Sequence, residues 1–135
     1  TPSYNNPKEE LKIIQDFYFL IKNDNSKKIL ITEYSFFSSL LKESLYSPSR
    51  TYDNISYPTL DDDLFENYRE FFKKNIIKNN IENIYIFYPS LKITESILSH
   101  FVLNYLPKDC YNVKHIDIYL KKIVLKKCKY LVDEN

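Results

Sequence analysis

The chain has 135 residues, 19 basic and 18 acidic, for a formal net charge of +1, and its 44% hydrophobic and 27% charged content is that of a globular domain with one core. A balance so close to neutral lacks the clustered basic excess that phosphate backbones select, so no nucleic-acid partner is expected. Glycine is absent altogether, which removes Gly-rich phosphate cradles and the glycine-framed nucleophile elbow, and no cofactor is expected.

A chain that opens on Thr1 and contains no methionine reads as a single α/β domain, residues 1–135, excised from a longer protein. No apolar run in it approaches the roughly 20 residues that span a bilayer. Asn6 as N-cap, Pro7 at the first helical position and Glu9 and Glu10 in the first turn predict a helix. Its apolar positions Leu11, Ile14, Phe17, Tyr18 and Ile21 recur at helical spacing, and the polar run Asn23 to Ser26 ends it. Lys28 to Tyr34 is a short β-branched run suited to a strand buried on both faces. Ser35 then caps a helix through Tyr46, with Phe36, Phe37, Leu40, Leu41 and Leu45 as its apolar stripe.

Two prolines, Pro48 and Pro58, keep Ser47 to Thr59 out of regular structure. Asp61, Asp62 and Asp63 start a long helix to Asn79, where three carboxylates favour the positive helix end and have no need of a metal. A second strand, Asn83 to Tyr88, stops at Pro89, and Ser90 to Leu106 reads as one further helix closed by Pro107. Alternation predicts a third strand over Tyr111 to Leu120 and a fourth over Ile123 to Leu131. Helices between strands imply right-handed crossovers. The expected fold is a small three-layer sandwich with a mainly parallel sheet of three to four strands, the last an antiparallel edge.

Two places stand out for ligand binding. In open parallel sheets, ligands sit outside the carboxyl ends of the strands, which here brings in Glu33, Tyr34 and Tyr88. The second place is the Ser47 to Pro58 loop. Arg50 is one of only two arginines, and its planar fork grips carboxylate or phosphate in a way lysine does not. Tyr52 and Tyr57 supply faces for a sugar or another planar group, and Asp53 an acceptor for hydroxyls. The same residues also make sense as a cap, with Arg50 paired to Asp53 and the tyrosines covering the loop's own underside.

His100, His115, Cys110 and Cys128 do not follow a zinc-ligand spacing, and no metal site is expected. Glu33, Asp117 and Lys121 form an unspecific nuclease-like grouping. Cys110 and Cys128 flank the last strand pair at a separation that a disulfide can bridge, implying an oxidising compartment, while two buried free thiols would suit a reducing one equally well.

The succession Ile31-Thr32-Glu33-Tyr34, Ser47-Pro48-Ser49-Arg50, Tyr52-Asp53, Ser56-Tyr57-Pro58 and Ile84-Tyr85-Ile86, with the late Cys110 and Cys128, resembles the soluble C-terminal domain that follows the membrane spans of bacterial polytopic glycosyltransferase-like proteins. That resemblance implies an extracytoplasmic domain beside an enzyme using lipid-linked sugars, with the parent's catalytic acids lying outside this chain. The expected function is therefore a noncatalytic recognition domain that contacts a saccharide, a lipid-linked phosphate or the membrane-embedded part of its parent. A stand-alone α/β hydrolase or nuclease using Glu33 and Asp53, in the cytoplasm, and a protein-interaction module built on exposed tyrosines are the alternatives.

Overall fold

A computed structural model describes residues 7–33, 63–90 and 92–132. The first helix, α1, spans Pro7–Lys22 and buries Phe17 and Ile21. It stops where the Asp24 carboxylate turns back to accept the Ser26 N–H at 2.8 Å, a local competitor to continued helix. Strand β1 follows over Lys28–Thr32 and strand β2 over Asn83–Phe87, each buried at every position. Between them, helix α2 covers Phe65–Asn79 and ends on Asn80 in the left-handed conformation, φ 52°, a position that Asn tolerates better than most residues.

The sheet order is β1-β2-β4-β3, where β3 is Tyr111–His115 and β4 is Leu120–Leu125. Only β1 and β2 are parallel neighbours, since β4 is antiparallel to both β2 and β3. The expectation of a mainly parallel sheet with β4 at its edge is thereby corrected. The crossover from β2 lands β3 two strand positions away, and β4 hairpins back into the gap. Burial gives the reason: Leu120 and Ile123 of β4 are 4% and 0% exposed, whereas β3 is half-buried or exposed throughout. The apolar strand gains most in the interior, and the polar one tolerates the rim.

Alternation along the strands feeds two apolar clusters. Leu30, Tyr85, Phe87 and Leu120 meet Phe17 and Ile21 of α1, with the Phe17 ring stacked on Phe87 at a centroid distance of 4.0 Å. Ile29, Ile31, Ile84, Ile86 and Ile123 instead join Phe65, Phe72 and Ile76 of α2, together with Ile97 and Leu98. Burying a ring such as Phe17 contributes about 1.5–3 kcal/mol.

Four predicted elements change their bounds. The helix expected from Ser90 to Leu106 is helix α3, Thr94–His100, followed by a short 3-10 turn at Val102–Tyr105. Lys92, with φ 54°, holds the chain out of helix before α3, and the Asn104 amide caps the His100 carbonyl at 2.8 Å after it. The third strand stops at His115 because Asp117 Oδ1 accepts the N–H groups of Tyr119 and Leu120 at 2.7 and 2.8 Å. This bends residues 116–119 into a turn and exposes Ile116 and Ile118, 44% and 67% respectively, so the apolar alternation there does not mark a strand. Accordingly the fourth strand begins at Leu120, three residues earlier than expected, and ends at Leu125. Helix α2 likewise starts at Phe65, with Asp63 in the preceding turn. The predicted Asn6 cap, Asp61 and Asp62, the Ser35 to Tyr46 helix and the Ser47 to Thr59 loop lie outside the described residues.

Candidate functional site at the carboxyl rim of the sheet

Strands β1, β2 and β3 point the same way, since β4 is antiparallel to both of its neighbours. Their carboxyl ends therefore open on one rim, which also receives the first turn of α1 and the start of α3. Glu33 leaves β1 there, and its Oε1 accepts the Ser90 N–H at 2.8 Å. The Ser90 hydroxyl in turn donates to Glu10 Oε1 at 3.0 Å. One serine thus ties a carboxylate from the end of β1 to a carboxylate from the first turn of α1. Pro89 supplies the local reason, because it cannot continue the ladder and turns the chain after β2 towards Glu33.

Thr94 sets the floor of this rim. Its fully buried hydroxyl donates to the Tyr119 carbonyl at 2.7 Å and accepts the Tyr88 N–H at 3.1 Å, joining the start of α3 to the ends of β2 and the β3–β4 turn. Further along, Lys121 is 7% exposed, donates to the Asp117 carbonyl at 2.7 Å and lies 4.0 Å from Glu95 Oε2. His115 Nδ1 is 3.9 Å from the same oxygen.

Of the sequence-predicted site residues, Glu33 is on this rim, while the Tyr88 side chain is fully buried in the cluster beneath α2 and α3 and faces no solvent. Tyr34, Arg50, Tyr52, Asp53 and Tyr57 lie outside the described residues. Glu33, Asp117 and Lys121 do come to one rim, but the Asp117 carboxylate is occupied by the turn it makes. Cys110 and Cys128 are joined by a disulfide with a Cα–Cα distance of 5.1 Å, which removes both thiols from any zinc set with His100 and His115. Among the described residues, no group of three or more His, Cys, Asp or Glu could hold a metal ion. Glu10 and Thr94 escaped sequence reasoning, since their partners are 80 and 25 residues away, whereas Ser90 directly follows the Pro89 that marks the end of β2 and so falls at the carboxyl ends of the strands.

The opposite rim carries a buried polar knot. Lys28, 3% exposed, donates to the Asp24 and Ser26 carbonyls at 2.7 and 3.0 Å, and the Tyr85 hydroxyl donates to the Asp24 carboxylate. Burial pushes the Asp24 carboxyl up, but the hydrogen bonds from Ser26 and Tyr85 and the Lys28 charge outweigh it and hold the group below the usual carboxylate range. Burial first, then the Asp24 hydrogen bond and charge, push the Tyr85 hydroxyl well above an ordinary phenol. Burial alone does the same to Tyr68.

Arg69 serves packing: its guanidinium lies 4.8 Å from the centre of the Tyr130 ring, and Lys73 lies 4.7 Å from the same ring. Burial raises the Tyr130 hydroxyl, helped by Glu70 and Glu66 and opposed by Arg69. Open cavities of about 620 and 650 Å³ adjoin α2. Both are remote from the carboxyl rim: the first lies along α2 from Glu70 to Asn79, and the second adjoins the end of α2, the start of β2 and the end of β4.

The fold and rim define an α/β domain with an open mixed sheet and a polar carboxyl edge. Comparison with known protein families, curated proteins and solved structures returned no match.

Proposed function

We propose that the chain is a noncatalytic recognition domain of a larger, membrane-embedded protein and that it takes a saccharide at the carboxyl rim of β1 and β2. The observation that carries this reading is the Glu33–Ser90–Glu10 linkage. One serine gathers two carboxylates, groups that only accept hydrogen bonds, where parallel strands diverge and ligands commonly enter. Sugar hydroxyls are donors of matching chemistry, whereas a phosphate would be repelled by two carboxylates. The Cys110–Cys128 disulfide supports an extracytoplasmic location, because such bonds persist in oxidising compartments. No described helix is long and apolar enough to cross a membrane, so attachment would come from the parent, whose membrane-embedded part is the partner in this reading.

Calorimetric titration of the chain with a panel of neutral oligosaccharides tests the proposal. Glu33→Gln and Glu10→Gln keep side-chain size but remove the charge-assisted bonds, and each should weaken binding about tenfold. Binding unchanged in both variants, or no binding by any saccharide, overturns it.

A further inference from the structure

Four cationic or titratable positions meet across the β3–β4 hairpin, where Lys114 stands opposite Lys122 and His115 opposite Lys121. Strand alternation sends the two pairs to opposite faces. His115 and Lys121 share Glu95 on the α3 side. Lys114 and Lys122 face the other way, and among the described residues no acid pairs with either. Like charges directly opposite each other in an antiparallel ladder are unfavourable, so this pair is an electrostatic liability as it stands.

The surroundings fit an anion. The apolar cluster under α1 includes Leu120 of β4 and no residue of β3, leaving Asn112 and Lys114 exposed and Lys122 half-exposed. The Lys122 ammonium lies 5.4 Å from the centre of the buried Tyr85 ring. Asn112 lies two residues before Lys114 on the same face and adds an amide donor. The result is two ammonium groups and an amide on a rigid sheet face. Ile116 and Ile118, 44% and 67% exposed, lie in the turn that closes the hairpin beyond Lys114.

We propose that Lys114, Lys122 and Asn112 form a binding site for a phosphate group, either free or carried on a lipid headgroup. The site is separate from the carboxyl rim and does not depend on the saccharide reading. A phosphate reached by both lysines gains two charge-assisted contacts, each stronger than a neutral hydrogen bond, with the Lys122 ammonium turning to it from the Tyr85 ring on β2. If the phosphate belongs to a lipid, Ile116 and Ile118 enter the interface beside it, as exposed apolar residues next to lysines do on anionic membranes.

Two arms of one experiment distinguish the sources: titration of the whole chain with inorganic phosphate at constant ionic strength, and sedimentation with phosphatidylcholine vesicles with and without phosphatidic acid. Lys114→Ala and Lys122→Ala should each reduce binding about tenfold in whichever arm shows it. Lys122→Arg should retain binding, and Lys78→Ala, on the exposed side of α2, should leave it unchanged. An Ile118→Ser loss confined to the vesicle arm identifies the lipid source. No binding in either arm overturns the proposal, as does binding that survives both alanine variants or falls equally with Lys78→Ala.

Discussion

Removing the Tyr85 hydroxyl probes the buried knot at the amino rim, where Asp24, Ser26, Lys28 and Tyr85 meet. A hydrogen bond to a charged acceptor contributes about 1.5–3 kcal/mol. Asp24 retains the Ser26 N–H and is only half-buried, so the lower end of that range applies. For a domain of this size each kcal/mol shifts Tm by about 4 °C, and Tyr85→Phe should therefore lower Tm by about 6 °C at neutral pH. Asp24→Asn made alone and together with Tyr85→Phe closes a double-mutant cycle, which should show a coupling of about 1 kcal/mol or more.

The pH dependence has a definite sign on each side. The Asp24 carboxyl is lowered in the folded protein, so its contribution is complete above the unfolded value of about 3.9 and is lost as pH falls through the folded one. The gap between wild type and Tyr85→Phe should narrow in acid. The Tyr85 hydroxyl is raised, so its contribution is complete below about pH 10 and is lost as pH rises through the folded value. Thermal melts followed by circular dichroism across pH read both limbs. An additive cycle, or a Tm difference indifferent to acid, refutes the reasoning.

Reduction of Cys110–Cys128, which closes a separation of 18 residues, should cost about 3 kcal/mol in the chain-entropy account and lower Tm by about 12 °C; melts with and without reductant measure it. Asn80 sits at φ 52° just beyond α2. Asn80→Gly should be within about 0.5 kcal/mol of wild type and Asn80→Ala about 1 kcal/mol less stable, with urea titration separating the two.

Much of the local structure was legible. Pro7 and the acids after it announced α1, and the run Asn23 to Ser26 announced its end, because helix starts and stops are decided by backbone groups within one turn. The continuous apolar runs of β1 and β2 identified strands covered on both faces. Residues 116–120 misled because Ile116, Ile118 and Leu120 alternate as a strand would, while one carboxylate, Asp117, supplies the hydrogen bonds of a turn. The candidate rim was partly legible: a carboxyl-end site follows from strand, helix, strand succession, and Glu33 was nameable. Ser90, next to Pro89, fell at the same strand ends, but Glu10 was not nameable, since no local pattern relates residues on α1 to the end of β2.

The sequence by itself determined the type of each well-patterned element, the two-sided burial of β1 and β2, and the exclusion of glycine-dependent chemistry, because period, capping and backbone freedom act over a few residues. Tertiary structure alone decided the strand order, the insertion of β4 between β2 and β3, and the meeting of Glu10, Ser90 and Glu33. Those outcomes depend on which faces gain most from burial and on registers between strands far apart in the chain. Lys114 opposite Lys122 is the plainest instance: the two lysines are unremarkable in sequence and become a charged pair only when β3 and β4 lie side by side.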